Sequence, residues 1–175
     1  MGTLKTTNIQ SISGSGTVTL GTSGETLAAG SGVTIGSGLG KILQAVSATD
    51  TTERNTTSTT FVTASNTLSV AITPLTTSSK IFVIVSTSCY NGTASKAAYL
   101  TIYRDASNLG NSNGFVRALN SAGGAGGSGA SASILDSPST TSAITYQAYL
   151  RADSGSTAYL NANSSGFITV FEVAG

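Results

Sequence analysis

The sequence predicts an all-β protein: a jelly-roll-like antiparallel β-sandwich over residues 41–175, preceded by a short-stranded segment over residues 1–40. Three observations carry this. Apolar residues are 39% of the 175-residue chain and gather in short runs rich in Val, Ile, Tyr and Phe. Ser and Thr together make 56 residues, and β-branched Thr fits a pleated surface. No segment has a helical period, whereas turn signals recur about every 8–14 residues, the spacing of a sandwich or jelly roll.

The first forty residues contain no aromatic residue and no Pro. Gly14-Ser15-Gly16-Thr17-Val18-Thr19-Leu20-Gly21 is echoed by Gly30-Ser31-Gly32-Val33-Thr34-Ile35-Gly36. Their few aliphatic side chains, at roughly 2 kcal/mol each when buried, cannot offset an ordering cost of about 1–2 kcal/mol per residue. The segment is either a disordered leader or an ordered strand-adding piece that needs partners, wrapped with other copies or docked on a larger body. No apolar run of signal-peptide length is expected at the start, and none long enough to span a bilayer.

The strands of the second part follow in order. Ile42–Ser47 opens it, and Thr59–Thr63 follows, anchored by Phe61. Thr67–Thr73 alternates, with Leu68, Val70 and Ile72 on one face, and Pro74 ends it because Pro cannot donate to a ladder. Lys80–Tyr90 holds Ile81, Phe82, Val83, Ile84 and Val85, the pattern of a central strand buried on both faces. Ala97–Arg104 sets Ala98, Leu100 and Ile102 against Tyr99, Thr101 and Tyr103. Phe115–Leu119 is short and follows an Asn-Gly turn signal. Asn120–Ser133 is almost wholly Gly, Ala and Ser, so it is either a mobile loop tip or a stretch ordered by tight backbone contact. Thr141–Asp153, Thr157–Asn161 and Phe167–Val173 complete nine or ten strands, the last expected in the middle of a sheet.

Composition excludes several chemistries. There is no His and one Cys, so the usual zinc, haem and iron–sulfur ligand sets and Ser-His-Asp or Cys-His catalysis cannot be built within the chain. A net charge of +1 from eight scattered cations and seven acids gives no footprint for nucleic acid. Asp105, Asp136 and Asp153 lack calcium-loop spacing, and a glycosidase pair drawn from Asp153 or Glu172 is not favoured by so few, isolated carboxylates. No catalytic residue, metal site or cofactor is expected. Cys89 reads as a small buried hydrophobe. Charged residues are only 9% of the chain, which suits a surface covered by other subunits.

Several motifs carry a family likeness. They are Lys41-Ile42-Leu43-Gln44-Ala45-Val46-Ser47, Ile72-Thr73-Pro74, Ser78-Ser79-Lys80-Ile81-Phe82-Val83, Tyr103-Arg104-Asp105, Asp136-Ser137-Pro138 with Ile144-Thr145-Tyr146, and the closing Ile168-Thr169-Val170-Phe171-Glu172-Val173-Ala174. With the opening Leu4-Lys5-Thr6-Thr7-Asn8-Ile9-Gln10, they resemble tail-fibre and virion-surface proteins of bacteriophages, especially marine ones. The resemblance implies a virion-surface component: a short homotrimeric fibre, spike or knob without an extended shaft. Its N-terminus would hold it to other virion proteins of the capsid or tail, through Leu4, Ile9, Ile12, Val18 and Leu20. Its head would meet a host surface glycan or protein; a purely structural decoration with no external ligand is the alternative. Nucleic acid and membrane insertion are not expected. An exposed patch of Tyr99, Tyr103 and Tyr149 is the expected subunit interface, because burial three-fold would cover it. The loops expected to face a ligand, at the end away from the N-terminus, carry Asn111, Asn113, Asn120 and Ser121, side chains suited to sugar recognition.

Overall fold

The computed structural model describes residues 42–121 and 128–175. The anchoring candidates Leu4, Ile9, Ile12, Val18 and Leu20 lie outside the described residues, as do residues 122–127 of the Gly-rich run. The described strands are β1 (Ile42–Asp50), β2 (Arg54–Thr56), β3 (Ser69–Ile72), β4 (Lys80–Asn91), β5 (Lys96–Arg104), β6 (Ser107–Asn108), β7 (Val116–Asn120), β8 (Ser128–Asp136), β9 (Ile144–Ala152), β10 (Ala158–Leu160) and β11 (Gly166–Val173).

They form two antiparallel sheets, of six and five strands. In the first, β8 takes one edge of β4, while β11 and then β10 share the other; β1 and β2 lie beyond them. In the second, β3, β9 and β5 run side by side, and β6 and β7 share the far edge of β5. The long pairings are nested: β1 with β11, β3 with β9, β4 with β8, β5 with β7. A hairpin rolled up with this nesting, its pairs alternating between two sheets, is a jelly roll.

The core between the sheets follows the period-two pattern. Leu68, Val70, Ile72, Ile81, Val83, Val85, Leu100, Ile102, Leu150, Ile168 and Val170 are all buried in it. β11 runs between β1 and β4, in the middle of its sheet as the sequence predicts.

Three expectations are corrected. Thr59–Thr63 is not a strand; only Val62 bridges, to Leu150. The Ser58 hydroxyl donates to the Thr60 carbonyl at 2.7 Å, and Ala64 and Ser65 adopt φ of 50° and 57°, so local hydrogen bonds outcompete the ladder there. Ser128–Asp136 is a strand where no strand was expected. It pairs with β4 from Cys89 to Ile81 and turns Ala130, Ala132 and Ile134 to the core, so backbone contact orders this half of the small-residue run. Finally, β4 is buried on one face only: Ile81, Val83 and Val85 are inaccessible, while Phe82 and Ile84 are half-covered on the outside.

Candidate interaction surfaces

The outer face of the second sheet gathers the three tyrosines. β5 and β9 are paired so that Tyr99 faces Arg151 and Thr101 faces Tyr149. This register brings the Tyr103 and Tyr149 rings into a stack with centroids 3.9 Å apart. Phe61, carried by the irregular segment before β3, meets Tyr103 edge-on at 6.5 Å. The Arg151 guanidinium lies 3.7 Å above the Tyr99 ring and 5.3 Å from that of Phe61, a cation–π arrangement. The Arg117 Nε donates to the Tyr99 hydroxyl at 3.4 Å. Tyr99 is therefore only 7% exposed, covered by its own chain rather than open as expected, while Tyr103 and Tyr149 are half-buried. Alternation in β5 and β9 put the rings on one face; the arginine lid depends on a register between strands some fifty residues apart.

The candidate loops fall in two places. Asn111–Gly114 interrupts the edge lane formed by β6 and β7: Leu109 N–H donates to Ile102 and Phe115 N–H to Leu100 on either side of it, at 3.0 and 2.9 Å. It lies at the side of the sandwich, not at its end. Asn111 shapes it, its Oδ1 accepting from Asn113 N–H at 2.7 Å. Asn113 Oδ1 accepts from Arg151 at 2.9 Å, which ties the loop to the tyrosine face. Asn120 and the exposed Ser121 do lie at the end away from Ile42. The Asn120 amide donates to the Asn91 carbonyl at 2.9 Å, so this side chain clamps the hairpin between β4 and β5.

At that same half of the first sheet a cavity of about 520 Å³ opens on the outer face, lined by Ser86, Ser88, Gly129, Asn163, Ser164 and Ser165 among others. Ser164 Oγ donates to Ser88 Oγ at 2.9 Å, and Asn163 sits at φ 51°. The lining is hydroxyl- and amide-rich and carries no charge, chemistry matched to a neutral polyhydroxylated ligand. Serine is too common in this chain for these positions to have stood out by sequence.

The acidic residues hold the fold. Asp136 accepts from Arg104 and from the Tyr146 hydroxyl, each at 2.7 Å, joining β5, β8 and β9. Burial, with the hydrogen bond to Asp136 and its charge, pushes the Tyr146 phenol far above its usual range. Asp105 accepts from Thr145 N–H and Asp153 from Ala97 N–H. Glu172 is fully buried and accepts from Gln44 at 2.6 Å and Leu75 N–H at 2.7 Å. No group of three metal-ligating side chains occurs among the described residues.

Burial works to raise the carboxyls of Asp50, Asp153 and Glu172, but hydrogen bonds from backbone and side chains outweigh it and hold all three below their ordinary values. A depressed carboxyl contributes stability above its unfolded value and loses it as pH falls through the folded one. Stability is therefore expected to be flat down to the ordinary values of 4.5 and 3.8 and to fall steeply below them. Urea midpoints between pH 7 and pH 2 measure this; a midpoint unchanged at pH 2.5 contradicts it.

No family model matches the chain, and no curated protein matches it. Among solved structures it is similar to the crystal structure of the infectious bursal disease virus VP2 subviral particle, at 11% identity and a TM-score of 0.39. The match covers 77% of this chain and 38% of that one, so this chain spans well under half the length of its structural neighbour. The jelly roll itself is established by the strand pairings.

Proposed function

We propose that this protein is a structural component of a bacteriophage virion, a jelly-roll head that assembles as a homotrimer on the particle surface. The observation that carries this reading is the surface of the folded head. Ile42, Leu75, Leu119, Leu135 and Phe167 are 44–64% exposed on a chain in which charged residues are only 9%. Such a surface is poorly suited to a free monomer and well suited to burial between subunits. The motif resemblance supports the same reading. Sedimentation of the full chain at micromolar concentration tests it: a trimer is expected, and a stable monomer contradicts it.

Residues 1–40 act in this reading as the attachment segment. Deleting them is expected to leave a head with unchanged β-sheet circular dichroism that no longer joins particles. Loss of folding on deletion would place the boundary elsewhere.

The uncharged cavity beside Asn163 supports host attachment through a glycan. The internal use of Asn111, Asn113 and Asn120 favours instead a decoration with no external ligand. Purified protein added to host cells separates the two: binding, with competition against infection, supports attachment, and its absence supports decoration.

A further inference from the structure

We propose that the cavity on the outer face of the first sheet binds a neutral pyranose residue, with Phe167 meeting its C–H face and Ser86, Asn163 and Ser165 its hydroxyls. The proposal rests on the attachment reading above and names its ligand; self-assembly does not depend on it.

Three lining side chains are open to a ligand. The Ser86 and Ser165 hydroxyls and the Asn163 amide face no hydrogen-bond partner among the described residues. Their neighbours are used by the fold. Asn161 shares the left-handed backbone of Asn163, at φ 59°, but its amide accepts from the Thr87 hydroxyl at 2.6 Å and donates to the Thr52 carbonyl at 3.3 Å. The Ser88 hydroxyl accepts from Ser164 at 2.9 Å and donates to the Ala162 carbonyl at 3.3 Å. The Asn161 N–H donates to the Ser88 carbonyl at 3.1 Å. These bonds pin the connection between β10 and β11 to β4. The open groups therefore stand on a fixed frame, which lowers the ordering cost of binding. Asn163, Ser165 and Phe167 lie on the β10–β11 side of β4, with β8 on its other side.

An apolar wall stands beside them. The β4–β11 register sets Phe167 across from Ser86 on the same outer face, and its side chain is 44% exposed. Two residues beyond Ser88 along β4, the Tyr90 and Tyr159 rings stack at 4.8 Å. A bare ring next to unpaired hydroxyl and amide groups matches a ligand that has an apolar face and several hydroxyls, which is the surface of a pyranose. The charges favour a neutral one. No lining residue is charged. Burial, with the negative charge of Glu53, pushes the Tyr90 phenol up, so the charge felt at this end repels an acidic sugar. Arg117 and Arg151, the cations suited to an acidic sugar, lie on the other sheet.

The test uses the full chain, with circular dichroism to check folding and saturation-transfer NMR as the readout. The probes are the methyl glycosides of glucose, galactose, mannose and N-acetylglucosamine, with glucuronate as the acidic comparison. At least one neutral glycoside is expected to bind in the millimolar range, with the strongest saturation on the C–H protons of one ring face. Asn163→Gly, which keeps the left-handed backbone, and Phe167→Ser are each expected to weaken that binding at least tenfold. Tyr103→Ser with Tyr149→Ser is expected to leave it unchanged. Should Phe167→Ser fail to fold, Asn163→Gly and Ser86→Ala decide, since neither removes a contact of the fold. The site is overturned if no neutral glycoside binds at about 20 mM, if glucuronate binds as tightly, or if binding is unchanged in Asn163→Gly. Protein that attaches to host cells yet binds none of the glycosides overturns this site and leaves attachment standing. Protein that binds a glycoside but no cells leaves the site standing and overturns the attachment reading.

Discussion

Glu172→Leu is expected to destabilise the head by about 3 kcal/mol, the cost of stranding hydrogen-bond donors that have lost a charged acceptor. Glu172 sits at an inward position of β11, in line with Ile168 and Val170, and has no exposed surface. One oxygen accepts from Gln44 on β1 and the other from Leu75 N–H, and the Ser79 hydroxyl also donates to the carboxylate. The carboxylate therefore fastens the end of the sandwich at which β1 begins. Leucine matches its neighbours in polarity but leaves these donors facing an apolar group. Glu172→Gln retains an acceptor and is expected to cost about 1 kcal/mol. Urea unfolding of both variants at pH 7 measures the difference; a leucine variant as stable as the parent contradicts the assigned role.

Gly114→Ala is expected to cost about 3 kcal/mol, through a left-handed backbone and a steric clash together. Gly114 lies at φ 73°, and a Cβ there would stand 2.5 Å from the Leu100 carbonyl oxygen and 3.1 Å from the Phe61 ring. That oxygen accepts from Phe115 N–H in the sheet, so it cannot move aside without breaking the edge lane. The loop would shift, Asn113 would leave Arg151, and the guanidinium lid over Tyr99 would loosen. Gly155→Ala is the matched control: its φ is 71°, but a Cβ there meets nothing within 4 Å, and a cost of about 1 kcal/mol is expected. Equal effects at the two glycines would contradict the steric account. Tyrosine fluorescence of the Gly114 variant reports on the ring cluster.

These two sites show what a linear reading reaches. Alternation placed Leu68, Val70 and Ile72 together, because a half-buried strand repeats every two residues whatever lies across from it. That the Glu172 position is sealed was not legible, since its donors come from residues about 97 and 128 positions away. β8 was missed because Ala130, Ala132 and their Gly and Ser neighbours carry almost no hydrophobic signal; the strand is held by its pairing with β4. Thr59–Thr63 erred the other way: β-branched residues promised a strand, and side-chain hydrogen bonds bent it into turns. The tyrosines were found as a set but read as exposed, since the covering arginine comes from a neighbouring strand. Phe82 and Phe171 were each visible as strand residues, yet only the β4–β11 register makes them one surface.

The most direct measurement is gold labelling of intact particles, encoded by the genome that carries this chain, with antibody raised against residues 42–175. The account predicts label on the particle surface, and three copies of the chain per labelled position by quantitative mass spectrometry. Bare particles, with the protein recovered as a lone monomer from the host cytosol, would contradict it.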